Sequence, residues 1–551
     1  MRLRNRFCGW AGVFLTTAAG VAPAQDPKPD PGPSAPTAES LTGVEFTPAQ
    51  RELMAKDLAD QLASFRAIRG RSIPWDLPPA VAFRAILPGM TFEKEQRPVV
   101  WGPPPTVRRP ERLEDLAFFT VRELGELLKS KQISSVELTS LALARLKRFG
   151  PELHCVVSLT EEIALGQAKR ADEEIAAGKY RGPLHGVPYG LKDLFAVRGT
   201  RTTWGIKIHE ERILDVDAAV YKRLEAAGAV LVAKLSLGEL AWGSTWYGGM
   251  TRNPWNPEKG SGGSSAGPGS AVAAGLVPFA IGSETWGSIV NPAIVCRVAG
   301  LRTTFGRVSR AGAMPLSWTM DKIGPLARTA EDCALVFDAI RGPDGEDPTV
   351  EDLPFNYAPV ADLSRIRIGV VDAEVAKASP LQRAALEALK GLGARTVPLR
   401  LPDVPVFPLS FIIHAEAAAV FDELTRSGQD ATLARQTADA WPNVFRATRA
   451  LPAVEYFQAS RLRTLLMRET AKMLEGAGAD VWFAPDDETS LLLTNLTGHP
   501  CAVLPCGEDA GGKAKGIVLI GRLYDEATIL TAAKAYQEAT GFHRKHPEKF
   551  R

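Results

Sequence analysis

Residues 260–288, GSGGSSAGPGSAVAAGLVPFAIGSETWGS, hold serines whose spacing could do chemistry. Ser264 and Ser265 follow the flexible run Gly260–Gly263, and Ser288 closes the stretch 24 residues after Ser264. Between them lie a run of small residues, Ser270–Gly275, and an apolar run, Val277–Ile281. A Gly/Ser linker would continue into polar sequence, whereas this one continues into Ala, Val, Leu, Phe and Ile. A glycine turn pinned between core segments lets backbone approach a ligand closely. The expected arrangement is a buried helix and a strand between the serines, bringing both hydroxyls to one place. Gly263-Ser-Ser265-Ala-Gly267 also fits the G-x-S-x-G elbow of α/β-hydrolases. That elbow must follow a strand, and Asn253–Gly260 before it reads as loop.

A serine hydroxyl is a poor nucleophile until a base takes its proton. Lys192 ends the apolar approach Val187-Pro-Tyr-Gly-Leu191 and precedes Asp193. Many Lys-Asp pairs are only surface charges, and spacing alone does not single Lys192 out. A free lysine has a pKa near ~10.4; burial can lower it by up to ~3–5 units and so yield a neutral base.

These residues resemble the signature of the amidase signature family, roughly GGSSGGS followed by GSDTGGSIR, with the lysine in an earlier G-V-P-x-x-x-K-D motif. Gly186-Val-Pro-Tyr-Gly-Leu-Lys192-Asp193 matches the latter. Further matches are Thr251-Arg-Asn-Pro-Trp255, Gly300–Arg310, Lys322–Asp332, Thr497-Gly-His-Pro and Pro505-Cys-Gly, so the likeness spans roughly residues 116–545 in the family's order. The resemblance implies a cofactor-free Ser–Ser–Lys triad. Lys192 would be the base, Ser264 the relay after a non-proline cis peptide, and Ser288 the nucleophile. It also implies an oxyanion hole from the backbone N–H groups of Thr285, Trp286, Gly287 and Ser288. Ser265 would support the site by hydrogen bonding. A hydroxyl suits the relay because it donates and accepts at once. The chain departs from pattern in Glu284-Thr-Trp-Gly-Ser288, where the family usually has Asp-Thr-Gly-Gly-Ser, and in Val290, where it has arginine. Trp286 at positive φ would cost roughly 1–2 kcal/mol; ordinary φ is expected, with the indole filling space near the acyl pocket.

Elements must position these residues. Thr120-Val-Arg-Glu123 and Ser134-Ser-Val-Glu137 are capping boxes, each predicting an amphipathic helix, the second ending at Gly150-Pro151. Helices are expected over Thr160–Ala177 and Ala218–Ala227, and strands at Val187–Leu191, Ala229–Val232, Ile366–Val371, Val481–Ala484, Cys501–Leu504 and Gly516–Ile520. Alternating strands and helices predict an α/β protein with its sheet covered on both faces. The resemblance implies a single large α/β/α domain with a central mixed β-sheet. No internal repeat is evident.

Before that domain, Arg2, Arg4 and Arg6, the apolar stretch Phe7–Val21 and Ala22-Pro-Ala24 have the form of a signal peptide. The expected division is a signal peptide over 1–24, a disordered Pro-rich tether over 25–41, an N-terminal extension over 42–113 and the catalytic domain over 114–551. In the extension, Thr47, Pro48 and apolar residues from Leu53 to Phe65 predict a helix. Its Val-Glu-Phe-Thr-Pro start weakly resembles the small C subunit of tRNA-dependent amidotransferases. Residues 96–111 are expected to run extended over the surface.

The 551 residues are 45% hydrophobic and 23% charged, an ordinary globular composition. Lys+Arg 65 against Asp+Glu 63 leaves a net charge of +2, which gives no sign of a nucleic-acid surface. No apolar run outside the N-terminus is long enough for a membrane span. The mature chain would keep Cys155, Cys296, Cys333, Cys501 and Cys506, an odd number that cannot all pair, and no Cys/His spacing resembles a metal site.

The reading is an exported, periplasmic or extracellular amidohydrolase forming an acyl-enzyme on Ser288, with an amide substrate, water and no cofactor. The alternatives are the glutaminase subunit of a tRNA-dependent amidotransferase and a non-catalytic binding protein on the amidase fold. Substrate identity and oligomeric state are not legible. Pocket residues are expected from Pro343–Arg365 and Pro402–Glu455, whereas His414, Glu416, Arg461 and Arg463 read as surface or structural residues.

Overall fold

The computed structural model describes Thr47, Pro48, Trp75 and residues 81–551. The expected signal peptide, tether and extension helix lie outside the described residues. The chain divides into a short unit, Met1–Ala59, and a large one, Asp60–Arg551, which carries the sheet and the candidate site.

Eleven strands form one mixed sheet. They are β1 Val156–Leu159, β2 Pro188–Lys192, β3 Val230–Leu235, β4 Phe279–Glu284, β5 Ala299–Arg302, β6 Lys322–Ala327, β7 Arg367–Val370, β8 Arg395–Pro398, β9 Val481–Ala484, β10 Cys501–Glu508 and β11 Ala514–Gly521. Their spatial order is β1-β3-β2-β4-β6-β5-β10-β11-β9-β7-β8. β2 runs parallel to β3 and β4, while β6 pairs antiparallel with β4. β2, β3, β6 and β9 are buried along their whole length. Alternate side chains face opposite ways, so the sheet is covered on both faces there.

The capping boxes open the first two helices, α1 Val121–Lys129 and α2 Ser135–Leu153. Thr120 Oγ1 accepts from Glu123 N at 3.2 Å, and the Glu123 carboxylate accepts from Thr120 N at 2.7 Å. α2 does not stop at Gly150-Pro151. Pro151 is carried inside the last turn, and the helix ends where His154 takes the left-handed conformation at φ 49°. Pro151 cannot donate to the carbonyl four residues back, and the helix continues only two residues beyond it. α3 (Glu161–Ala176) and α4 (Ala219–Ala226) follow as expected.

The small-residue run becomes α5, Ala266–Ala273, with all eight residues buried. It packs on β4 and against α6, Val290–Cys296. Short side chains allow this close approach. The apolar run after α5 becomes β4. Strands β1, β5, β6 and β8 were not expected from the sequence. They are four to six residues long and each mixes apolar with polar, glycine or proline residues, so none stands out as an apolar run. Cys155, Cys296, Cys333, Cys501 and Cys506 are all buried and unpaired.

Asp193, just after β2, pairs with Lys234 of β3 at 2.8 Å, and both side chains are fully buried. The second Asp193 oxygen accepts from Thr203 N and Thr203 Oγ1 at 2.8 and 2.5 Å. Together these bonds lock the chain at the exit of β2. Removing one member of a buried pair strands the other, at a cost of about 3–5 kcal/mol. Lys234→Ala is therefore expected to lose stability of that order in denaturant unfolding, and a loss below about 1 kcal/mol would contradict the pairing.

Candidate active site

Lys192 is the last residue of β2 and is fully buried. Its Nζ lies 2.9 Å from Ser264 Oγ, 3.1 Å from Ser265 Oγ, 2.9 Å from Ser283 Oγ and 3.4 Å from the Ser283 carbonyl. Every partner is a neutral oxygen. Burial pulls the amine down to about 7, although Asp321 and Glu284 act in the opposite direction. Desolvation penalises the ammonium more than the amine.

Ser264 follows the Gly263–Ser264 peptide, which is cis. Its neighbours on both sides bond to the segment that carries Ser288. Gly263 N donates to Asn291 Oδ1 at 3.0 Å, and Ser265 N donates to the Ser288 carbonyl at 3.1 Å. The two predicted serine segments are thus laced together. No side chain fits at position 263, where a Cβ would lie 1.9 Å from the Gly243 carbonyl. Ser265 ties α5 to β4: its hydroxyl donates to the Ser283 carbonyl at 3.1 Å and accepts from Ser283 N at 3.2 Å. This agrees with a supporting place for Ser265. Ser283 was missed in the sequence. Its only signal is a position one residue before the acid of the motif, and Lys192 contacts it as closely as Ser264.

Thr285–Ser288 form the turn between β4 and α6. Glu284 clamps it. One carboxylate oxygen accepts from Ile289 N and Val290 N at 2.8 and 3.0 Å. The other accepts from Arg302 Nη1 and Asn495 Nδ2 at 3.0 and 2.9 Å. Both Glu284 and Arg302 are fully buried. Burial opposes the carboxylate, but Arg302, the two backbone donors and Asn495 hold it below the usual range. Arg302 continues to Thr494 Oγ1 at 2.9 Å and the His499 carbonyl at 3.1 Å. On the other side, Thr285 Oγ1 donates to Asp321, whose second oxygen accepts from Leu316 N and Ser317 N at 2.7 and 3.0 Å.

With Ile289 and Val290 spent on Glu284, the N–H groups of Trp286, Gly287 and Ser288 donate to no protein acceptor among the described residues. They form a short row of free backbone donors beside Ser288. Gly287 has φ 81°, whereas Trp286 is not among the positive-φ residues. The tryptophan therefore replaces the usual glycine without backbone strain. Val290, in the place of the usual arginine, is buried and donates its N–H to Glu284.

A cavity of about 360 Å³ opens beside this turn, with Ser283, Thr285 and Asp321 in its wall. Much of the rest is apolar, including Leu194, Met314, Leu316 and Ile323. Arg310, Asp347 and Glu346 in its lining are ion-paired, while Asp321 and Lys322 bond neutral groups. Arg310 bonds Asp347 at 2.9 Å and also the Trp318 carbonyl and Thr349. Asp321 has the partners just given, Lys322 donates to the Met320 carbonyl, and Glu346 pairs with Lys222. A larger cavity of about 680 Å³, bounded by Gly89–Glu93 and Leu353–Asn356, shares no residue with the Lys192 cluster. Glu416 and Arg463 are structural: Glu416 accepts from Ser317 Oγ, Thr319 and Tyr456, and Arg463 donates to Thr319 and Leu496. Among the described residues no cluster of three or more His, Cys, Asp or Glu could hold a metal ion.

Residues 137–490 match the Amidase family. The chain belongs to the amidase signature family, and its fold and Lys–Ser–Ser cluster agree with that membership. Among its relatives is the glutamyl-tRNA(Gln) amidotransferase A subunit of Roseiflexus sp. (strain RS-1), 36% identical over 78% of this chain and 98% of the relative. The corresponding protein of Roseiflexus castenholzii is 37% identical over 78% and 97%. The peptide amidase of Stenotrophomonas maltophilia superposes with a TM-score of 0.70 at 29% identity, over 78% of this chain and 98% of that one.

The Glu284 clamp yields a direct test. Glu284→Gln keeps the shape but leaves buried Arg302 without a counter-charge. Unfolding stability is expected to fall by about 3–5 kcal/mol, and the 285–288 turn should loosen with it. A variant as stable as the parent would show that the clamp does not set the turn.

Proposed function

We propose that this chain is a cofactor-free amidohydrolase working outside the cytoplasm through an acyl-enzyme on Ser288. The observation that carries the mechanism is the buried Lys192 amine, held by serine oxygens and by no carboxylate. A neutral amine has two N–H donors and one lone pair. The Ser283 carbonyl can only accept, and Ser265 spends its own proton on that carbonyl. The lone pair is then left for a proton from the Ser264 or Ser283 hydroxyl, and Ser264 is the one whose flanking backbone is tied to the Ser288 segment.

In the forward step Ser288 Oγ attacks the amide carbonyl. Its proton passes to Ser264 Oγ, and the Ser264 proton passes to Lys192. The tetrahedral oxyanion is received by the free N–H groups of the 285–288 turn. Preorganised donors of this kind typically contribute about 2.7–4 kcal/mol each to the transition state. The C–N bond breaks as the departing nitrogen takes a proton back from Lys192 through Ser264. Water repeats the sequence on the ester, releasing the acid and restoring Ser288.

Two features favour an independent hydrolase. The first is the N-terminus, with Arg2, Arg4, Arg6 and Ala22-Pro-Ala24 around an apolar stretch. The second is the largely apolar wall of the cavity, in which Arg310 is already spent on Asp347, the Trp318 carbonyl and Thr349. A glutaminase must receive a substrate carrying both an ammonium and a carboxylate, and such a site needs unspent charge to meet them. The competing reading, a glutaminase subunit of a tRNA-dependent amidotransferase, is favoured by the relatives of that name. The binding-protein reading loses its support in Trp286, whose ordinary backbone keeps the N–H in place.

The test is a small fluorophosphonate with mass-spectrometric mapping on the full chain. Ser288 is expected to carry the adduct, and Lys192→Ala to slow labelling at least a hundredfold. Because the neutral amine is the base, labelling should rise about tenfold per pH unit below pH 7 and level off above about pH 8. Labelling of Ser265 would revive the hydrolase elbow, and a flat profile down to pH 5 would exclude a lysine base. Cell fractionation tests export: a protein confined to the cytoplasm would favour the amidotransferase reading.

A further inference from the structure

Trp286 and Phe407 are among the exposed large apolar side chains, 36% and 44% accessible. Their ring centroids lie 6.5 Å apart with the planes tilted by 58°. Trp286 is two residues from Ser288 and belongs to the turn that offers free N–H donors. Phe407 opens a short 3₁₀ turn, Phe407–Ser410, that packs on the helix Glu488–Thr497. From that helix Leu491 reaches Gly287, where a Cβ would stand 3.2 Å from Leu491 Cδ2. The ring pair is thus braced against the nucleophile loop. Neither ring belongs to the wall of the 360 Å³ cavity.

The site therefore has two apolar surfaces of different character, a walled cavity and an exposed aromatic pair. The chemistry assigns them. After the first step the acyl group stays bonded to Ser288 while the amine must depart into solvent. The cavity suits the retained group, and the open pair suits the group that leaves.

Building on the Ser288 reading, we propose that Trp286 and Phe407 form a leaving-group subsite selecting amides whose amine carries a flat aromatic or bulky apolar substituent. An aryl ring laid against the pair would gain offset or edge contacts worth about 0.5–1.5 kcal/mol per ring, beyond the apolar area it covers. An amide that releases ammonia has nothing to place there. The indole would thus add a binding surface at the position where a glycine offers none.

The experiment compares two substrates sharing one acyl group, butyranilide and butyramide, on the full chain. The shared acyl-enzyme makes deacylation common to both. The ratio of their kcat/KM values cancels any general loss from a variant. Trp286→Ala and Phe407→Ala are each expected to lower the anilide-to-amide ratio roughly tenfold, mainly through acylation of the anilide, and Trp286→Phe to restore most of it. A ratio that stays within twofold of the parent in both alanine variants overturns the subsite. Fluorophosphonate labelling of the same samples separates this from the underlying mechanism, because its leaving group is fluoride and needs no ring platform. Labelled Ser288 with an unchanged ratio rejects the subsite alone. No labelling of Ser288 in the parent rejects the acyl-enzyme reading and the subsite with it.

Discussion

Lys192 is buried among serine oxygens while three carboxylates stand in its vicinity, and each is committed elsewhere. Asp193, its neighbour in sequence, is neutralised by Lys234. Glu284 is filled by Arg302, Asn495 and two backbone donors. Asp321 is spent on Thr285, Leu316 and Ser317. A lysine paired with a carboxylate would stay charged and useless as a base. Denied a direct counter-ion and fully desolvated, it settles at about 7. The surrounding ion pairs are therefore part of the lysine's chemistry as well as of the fold.

The same bonds fix geometry. Glu284 ends β4 and accepts from the N–H groups at the start of α6, so the five residues between the two elements have little choice of path. Asp321 holds the turn from the opposite side through Thr285. The cis-linked segment of Ser264 is laced to Ser288 and Asn291 through its flanking backbone N–H groups. Ser288, Ser264 and a row of N–H donors thus sit on rigid elements, which suits the preorganised roles proposed for them.

Much of this arrangement was legible beforehand, for identifiable reasons. The approach to Lys192 is continuous apolar sequence, which fits a buried strand ending in a buried lysine, while the family resemblance is what singled that lysine out. The Ser270–Gly275 run was short enough in side chain to predict close helix packing. The capping boxes carried their own signal in residues three apart. What could not be read depends on partners distant in sequence. Glu284 meets Asn495, 211 residues on, and nothing local announces that bond. Ser283 alternates with Glu284 along β4, and its role is clear only once the strand places it over Lys192. Gly150-Pro151 marked the helix end to within two residues, the actual stop being the left-handed His154. Ordinary φ at Trp286 was expected because the rest of the motif is intact, and the turn has it.

The most direct test is the titration of Lys192 itself, by NMR of the full chain with lysine labelled at the side-chain carbon next to Nζ, Lys192→Arg serving to assign the resonance. A midpoint near 7 is expected, well below the values of the surface lysines. A midpoint near 10.5 would mean that Lys192 is charged at neutral pH, and the proton relay through Ser264 could not begin there.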